Sequence, residues 1–176
     1  MTSQITTNLL TNRKLVCIGL CLISAASLAA AYTAEYLYGL RPCILCLYQR
    51  APYALIMILS LTGLLFSCKN NKITANIVIF CALLFACGSV IAFYHTGVEL
   101  KWWKSFLEKC NASFDFNSPD SYLKTLQETK AVRCDEIPWS DPVIGLSMAN
   151  YNAILSFIYA CLTLTAGILM RKKNYV

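Results

Sequence analysis

Charged residues are scarce in this sequence. Aspartate, glutamate, lysine and arginine make up 14% of its 176 residues, whereas about a quarter of the residues in an average soluble domain are charged. Hydrophobic residues account for 57%, and the mean hydropathy is +0.55. This composition argues against a soluble globular domain, and it predicts an integral membrane protein.

The motifs that bind the common redox cofactors are also missing. The chain has neither the G-x-G-x-x-G of dinucleotide-binding folds nor the C-x-x-C-H of haem attachment. We therefore expect no flavin, haem or iron–sulfur cluster. There is no internal repeat and no low-complexity tract, and histidine occurs only once, as His95. Cysteine, in contrast, is abundant, with ten residues.

Four apolar runs predict four membrane-spanning helices. A hydrocarbon core of ~30 Å takes roughly 20 helical residues, and every run is long enough. The runs cover residues 15–38, 44–67, 73–95 and 143–170. A cleaved signal peptide is an alternative for the first run, but that run is longer than the usual h-region of about 7–15 residues. The expected fold is an all-α bundle of four transmembrane helices, forming a single integral membrane domain over residues 1–176.

The distribution of basic residues predicts the orientation of the bundle. Four spans place both termini on the same side of the membrane. The N-terminal tail, the 68–72 hinge and the C-terminus contain no acid, and their bases are Arg13, Lys14, Lys69, Lys72, Arg171, Lys172 and Lys173. The 96–142 loop has six bases and eight acids. By the positive-inside rule both termini are cytoplasmic, and the 39–43 turn and the 96–142 loop face outward.

The long outward loop has features of a segment that lies on the membrane surface. Residues 101–107 combine two tryptophans with two lysines, a composition typical of the headgroup region. Ser118 and Pro119 are typical of a helix start. The alternative is a disordered loop that happens to carry aromatic residues.

Six of the ten cysteines need no special function. Cys17, Cys21, Cys68, Cys81, Cys87 and Cys161 lie within the apolar runs or at their cytoplasmic ends. Free cysteine behaves as a small hydrophobic residue, which is sufficient for all six. Because no histidine or acid accompanies them, we expect no metal site there.

The other four cysteines, Cys43, Cys46, Cys110 and Cys134, are predicted to face outward, where disulfides form. Of the three possible connectivities, the simplest joins Cys43 to Cys46 and Cys110 to Cys134. A structural bridge would explain the loop pair. It would explain the C-x-x-C pair poorly, because so short a loop constrains the unfolded chain little. The C-x-x-C spacing therefore favours redox chemistry.

The surroundings of the C-x-x-C favour a reactive thiolate. Pro42 suits the first turn of a helix, and free N–H groups at a helix start lower the pKa of a nearby thiol. Arg50 follows Cys46 by four residues, so the two share a helix face, and we expect the guanidinium to stabilise a Cys46 thiolate. The alternative for Arg50 is an interfacial arginine that reaches the lipid headgroups.

His95 ends the third run at the same expected depth as Cys46 and Arg50. A histidine at this position is also explained as an interfacial hydrogen-bonding group. Together, the dithiol, the arginine and the histidine predict a site at the lipid boundary for a flat, oxygen-rich oxidant. A membrane quinone meets that description.

Residues 41–50, Arg-Pro-Cys-Ile-Leu-Cys-Leu-Tyr-Gln-Arg, resemble the signature of the DsbB family of bacterial disulfide-bond formation proteins. That signature is Pro-Cys-x-x-Cys, then an aromatic residue and an arginine four positions after the second cysteine. The likeness extends to Tyr94-His95, to Cys134 with the Pro138-Trp139 that follows, and to residues 145–152.

The resemblance implies a thiol oxidase of the bacterial inner membrane that sustains disulfide formation in exported proteins. A periplasmic DsbA-like carrier would form a mixed disulfide with Cys110, and Cys134 would then pair transiently with Cys43. Cys46 would become the thiolate that faces ubiquinone or menaquinone, with Arg50 polarising the quinone ring and His95 beside it. The resemblance implies no metal and no nucleic acid.

Two other functions are compatible with parts of the pattern. One is a quinone reductase of the vitamin K epoxide reductase type, but in that family the C-x-x-C follows the loop cysteines, whereas here it precedes them. The other is a non-enzymatic membrane adaptor with two passive disulfides, which thiol trapping would distinguish from an oxidase.

Overall fold

The computed structural model describes residues 9–66, 71–107, 110 and 133–173. Four long helices make up most of them: α1 Arg13–Tyr36, α2 Ile44–Phe66, α3 Asn71–Glu99 and α4 Met148–Lys173. Each is long and apolar enough to cross a membrane. Within the described residues the only β structure is an isolated bridge between Ser140 and Ser147. The predicted all-α, four-helix membrane fold is confirmed.

Local hydrogen bonds define the first helix and the turn that follows it. Asn12 caps α1, because its side-chain oxygen accepts a hydrogen bond from the Leu15 N–H at 3.4 Å. After α1 the chain turns at Gly39, whose φ of +67° lies in the left-handed region that glycine adopts readily. The Leu40 N–H returns to the Ala34 carbonyl at 3.1 Å. This tight turn carries the chain directly into α2.

The start of α4 differs from the sequence-based expectation. The helix begins at Met148, whereas the apolar run begins at residue 143. Asp141 accepts hydrogen bonds from the backbone N–H groups of residues 143 and 144 at 2.8 and 3.1 Å, and Gly145 has a φ of +75°. Ser147 then caps the helix by accepting from the N–H three residues later. These short-range bonds hold the segment in a turn, although its residues are apolar.

The bundle interior is a cluster contributed by all four helices. α3 packs against both α2 and α4, and α1 packs mainly against α2. The buried residues of the cluster are Cys17, Leu20, Tyr53, Ile56, Ala75, Val78, Cys81, Phe85, Ala160 and Met170. Large apolar side chains such as Leu22, Leu65, Val90 and Phe157 are exposed on the outside of the bundle. An apolar exterior around an apolar core is what a lipid-embedded bundle requires.

The end of α1, the starts of α2 and α4 and the end of α3 meet at one end of the bundle. Aromatic residues after α3 cover this end. The Trp103 ring stacks on Tyr94 with centroids 6.0 Å apart, and its indole N–H donates to the Tyr94 carbonyl at 3.1 Å. The Phe106 N–H donates to the Tyr94 hydroxyl. The first part of the loop is therefore attached to α3. The helix start expected at Ser118 and Pro119 lies outside the described residues.

Candidate active site

The C-x-x-C pair lies at the start of α2, where the expected helix N-terminus is found. Cys43 precedes the first residue of the helix, and Cys46 lies in its first turn. The two Sγ atoms are 2.9 Å apart as hydrogen-bonded free thiols, and the Cys46 N–H donates to the Cys43 sulfur at 3.3 Å. Cys43 is buried, with 4% of its surface exposed, whereas Cys46 is partly accessible.

His95 and an acid that follows it complete the surroundings of Cys43. His95 Nε2 lies 3.5 Å from the Cys43 sulfur. Because α3 continues for one more turn, Glu99 follows His95 at i+4, with Oε1 3.7 Å from the same Nε2. Ser147 donates a short hydrogen bond to the other oxygen of Glu99. His95 and Glu99 are both buried, and this acid next to the sulfur was not predicted from the sequence.

The thiolate-stabilising groups are arranged around Cys43 rather than around Cys46. The hydrogen bond from the Cys46 thiol is the largest influence, and it lowers the pKa of Cys43 to about 4 from its ordinary 9.0. Burial opposes this shift, and the His95 ring reinforces it. These contacts favour ionisation of the Cys43 thiol. The sequence analysis expected the thiolate at Cys46, with Arg50 as its stabilising cation.

Arg50 pairs instead with an acid on the neighbouring helix. Its Nη1 donates to Glu35 at 2.5 Å, and its Nη2 donates to the Ala31 carbonyl at 3.4 Å. The guanidinium carbon lies 4.9 Å from the centroid of the Tyr32 ring. This partly buried ion pair supplies the partner that an arginine at membrane depth requires. Glu35, the one charge in the first apolar run, is thus a part of the site that the sequence analysis did not identify.

A chain of amides extends from His95 to α4. Gln49 Nε2 lies 2.8 Å from His95 Nδ1, and the Asn152 side-chain amide donates to Gln49 Oε1 at 2.5 Å. The Tyr53 hydroxyl donates to Asn152 at 2.6 Å and lies 2.8 Å from the Ser156 hydroxyl. Three helices therefore orient the imidazole ring, which keeps Nε2 directed at Cys43.

The loop cysteines form the second pair. Cys110 and Cys134 are joined by a disulfide, and both are almost completely buried. They share one buried cluster with Cys43, Leu45 and Val98. Next to the bridge, Arg133 forms a two-bonded ion pair with Asp135, at 2.9 and 2.7 Å, which lowers the pKa of Asp135. The structure thus places the disulfide in the same buried cluster as Cys43, with Cys46 packed against that cluster.

A cavity of about 340 Å³ opens beside these groups. All four helices and the segment after Cys134 line it. Its polar lining includes Cys43, Cys46, Arg50, His95 and Glu99, and alanine and leucine side chains of α1 cover much of the rest. Cavities of about 300–1,000 Å³ with apolar walls and a few polar groups are typical of small-molecule sites. Thiols on one wall and a guanidinium on another would suit an oxidant that accepts hydrogen bonds.

The other cysteines occupy different surroundings. Cys17 and Cys81 are buried in the bundle interior, Cys21 is half-buried, and Cys87 and Cys161 are exposed on the outside. Cys68 lies outside the described residues. Among the described cysteines, only the four expected to face outward lie at the cavity end of the bundle.

The arrangement matches a known family. The DsbB family, described as "Disulfide bond formation protein DsbB", matches residues 13–166. A Rickettsia prowazekii (strain Madrid E) protein named "Uncharacterized protein RP370" is 28% identical over 158 residues, which cover 84% of this chain and 82% of that protein. No solved structure matches significantly. The match includes all four cysteines of the site and nearly all of the four helices. This chain is a member of the DsbB family of membrane proteins that form disulfide bonds.

Proposed function

We propose that this protein reoxidises a periplasmic DsbA-like carrier and passes the electrons to a membrane quinone. The observation that carries the proposal is the shared burial of Cys43 with the Cys110–Cys134 disulfide, beside a cavity lined by Cys46 and Arg50. The disulfide proposed to exchange with a protein partner and the dithiol proposed to reduce a small oxidant thus belong to one buried cluster. Thiol–disulfide exchange needs this proximity.

The electron path begins at the loop disulfide. One thiolate of the reduced carrier attacks Cys110, which forms the mixed disulfide and releases Cys134 as a thiolate. Cys110 is buried, so carrier binding must displace the side chains over it. The second carrier thiol then resolves the mixed disulfide, and the carrier leaves with a disulfide. The loop pair has gained two electrons.

The path continues at Cys43. Cys134 attacks this sulfur in the Cys43–Cys46 disulfide and releases Cys46 as a thiolate. Cys110 then attacks Cys134, which regenerates the loop bridge and releases Cys43 as the second thiolate. While Cys43 is bonded to Cys134 it cannot hold the negative charge, so the charge resides on Cys46, which lines the cavity. In this step Cys46 has the thiolate role that the family resemblance implies for it.

A bound quinone accepts two electrons and two protons and leaves as the hydroquinone, and Cys43 and Cys46 return to the disulfide. Arg50 supplies hydrogen-bond donors for a quinone oxygen, and Glu35 and Tyr32 hold its guanidinium in place. His95 and Glu99 lie beside the sulfurs, where they can receive the thiol protons. In sum, a carrier dithiol and a quinone become a carrier disulfide and a hydroquinone.

We further propose that the site faces the periplasm from the bacterial inner membrane, with both termini cytoplasmic. The acid-free, lysine- and arginine-rich segments belong to the end of the bundle opposite the cavity. An outward-facing site also suits disulfide exchange, because the periplasm is an oxidising compartment.

The test is quinone reduction by the purified protein with a reduced DsbA-like carrier. We expect steady hydroquinone formation by the wild type and none by Cys46→Ser. Cys161→Ser, which changes an exposed cysteine far from the cavity, is the matched control and should retain full activity. Equal activity in Cys46→Ser would contradict the proposal.

Thiol trapping distinguishes this proposal from a passive adaptor. With reduced carrier present and quinone absent, Cys43 and Cys46 should become available for alkylation. If they remain blocked under those conditions, both bridges are structural and the protein is not an oxidase.

A further inference from the structure

Three metal-ligating groups converge beside the cavity, and a fourth, Glu99, lies next to one of them. The sulfurs of Cys43 and Cys46 and His95 Nε2 all lie within 4.8 Å of one another. Glu99 Oε1 lies 3.7 Å from the same imidazole nitrogen. All four side chains line the cavity, so a small cation has a route to them. Two thiolates, one imidazole and one carboxylate are a ligand set that suits Zn²⁺.

Two of the distances already fit a tetrahedral ion, whereas Cys46 and Glu99 would have to move to complete the site. Zinc bonds are about 2.3 Å long to sulfur and about 2.0–2.1 Å long to nitrogen or oxygen. Around a tetrahedral ion, these bond lengths separate a sulfur and a nitrogen ligand by roughly 3.6 Å, and a nitrogen and an oxygen ligand by roughly 3.4 Å. The corresponding separations here are 3.5 Å for Cys43–His95 and 3.7 Å for His95–Glu99. The two sulfurs, 2.9 Å apart, would have to separate to about 3.8 Å. Cys46 is partly exposed towards the cavity and has room to rotate.

The imidazole is already oriented for this purpose. A metal-binding histidine usually forms a hydrogen bond through its other ring nitrogen, and this bond fixes the orientation of the ring. Gln49 occupies that position at His95 Nδ1, 2.8 Å away, and Asn152 donates to Gln49 Oε1. In this arrangement the Gln49 amide donates to Nδ1, so Nε2 carries the ring proton. Metal binding at Nε2 therefore requires the Gln49 and Asn152 amides to turn over, so that Gln49 Oε1 accepts from Nδ1–H and Nε2 is unprotonated.

We propose that the reduced Cys43–Cys46 dithiol binds one Zn²⁺ together with His95 and Glu99, and that the bound ion holds the enzyme in its reduced state. Binding exchanges two thiol protons for the cation, so no electron is transferred. The oxidised form cannot bind in this way, because disulfide sulfurs are only about 2.05 Å apart and carry no charge. The ion also occupies, on each of the two sulfurs, the lone pair that would form a new disulfide. The prediction that the bound ion blocks turnover rests on the proposed function, whereas the prediction of a metal site does not.

The direct probe is Co²⁺, added without oxygen to the purified, dithiol-reduced full-length protein, with neither carrier nor quinone present. Thiolate-to-cobalt charge-transfer absorption should appear with one ion per chain and should vanish when Zn²⁺ is added. The Cys110→Ser/Cys134→Ser variant should retain the signal, which excludes the loop pair as the ligands. Cys46→Ser should abolish it, and Cys161→Ser should leave it unchanged.

Wild-type protein with the Cys43–Cys46 disulfide formed supplies a control that needs no substitution, and it should give no signal. Gln49→Leu should weaken the affinity about 10- to 100-fold, as expected for a residue that supports a metal ligand. An absent cobalt signal, or a signal that survives Cys46→Ser or oxidation, would overturn the metal site. Quinone reduction is measured separately, so a failure of the quinone-reduction test would not change the result of the cobalt titration.

Discussion

Three cysteines in this bundle are buried to similar extents but have contrasting surroundings. Cys17 and Cys81 lie in the interior, among leucine, isoleucine, valine and phenylalanine side chains. Cys43 is nearly as buried, but it contacts the Cys46 thiol, a backbone N–H and an imidazole. Burial alone disfavours a thiolate, whereas donors directed at the sulfur favour one. Polar partners, rather than depth, therefore distinguish Cys43 from the cysteines of the bundle interior.

The largest expected effect on turnover comes from removing the sulfur of a site cysteine, and removal of the sulfur of a core cysteine is the control. Cys43→Ser should abolish carrier-driven quinone reduction, because the electron path has no alternative entry to Cys46. Cys81→Ala should retain turnover and lower the free energy of unfolding by about 1 kcal/mol, since it removes one buried sulfur from the core. Activity assays and thermal unfolding in detergent measure the two effects. Loss of turnover in a correctly folded Cys81→Ala variant would contradict the distinction between Cys43 and the core cysteines.

The reactivity of Cys43 should depend on its neighbours. Removing the hydrogen bond in Cys46→Ala should raise the pKa of Cys43 from about 4 towards 9.0. At a pH between these values, a smaller fraction of Cys43 would be thiolate, and its alkylation should be slower than in the wild type. His95→Ala should shift the same pH–rate profile in the same direction by a smaller amount. An unchanged profile in both variants would show that these contacts do not stabilise the thiolate.

Arg50, which lines the cavity, and its ion-pair partner Glu35 test the proposed quinone site. Arg50→Met removes the donors proposed for the quinone, and we expect KM for quinone to rise about 10-fold, which corresponds to about 1.4 kcal/mol of binding free energy. Carrier exchange at Cys110–Cys134 should persist. Glu35→Gln keeps a hydrogen-bond acceptor beside Arg50 and should have a smaller effect on KM. An unchanged KM in Arg50→Met would remove this residue from the quinone site.

The last prediction concerns the stability of the aromatic cover of the site, with no expected loss of the site's own groups. A Cβ at Gly97 would lie 2.0–2.6 Å from ring atoms of Trp103. Gly97→Ala should therefore displace this ring and lower stability by about 1–3 kcal/mol. Gly19 in α1 has no atom within 4 Å of an added Cβ, so Gly19→Ala should be neutral or stabilising by up to about 1 kcal/mol. Thermal unfolding compares the two, and equal stability would contradict the packing of Trp103.

Much of the fold could be predicted because membrane spans are encoded locally. The four apolar runs locate α1 to α4 to within a few residues, except at the start of α4, where Asp141 and Ser147 hold a turn within an apolar segment. Hydropathy does not register such side-chain to backbone bonds. The third run was expected to end at His95, but the helix adds one turn, which brings Glu99 into the site.

The sequence by itself determined the helical membrane fold, the C-x-x-C at a helix start, and the division of ten cysteines into two groups. Helical periodicity correctly places Cys46 and Arg50 on one face of α2, because it governs neighbours within a helix. It carries no information about which residues of another helix that face will meet. Only the tertiary structure paired Arg50 with Glu35, joined Gln49 to His95 and Asn152, and packed the loop disulfide against Cys43. Those contacts depend on how four helices are rotated against one another, and that rotation is decided by the packing of the whole bundle.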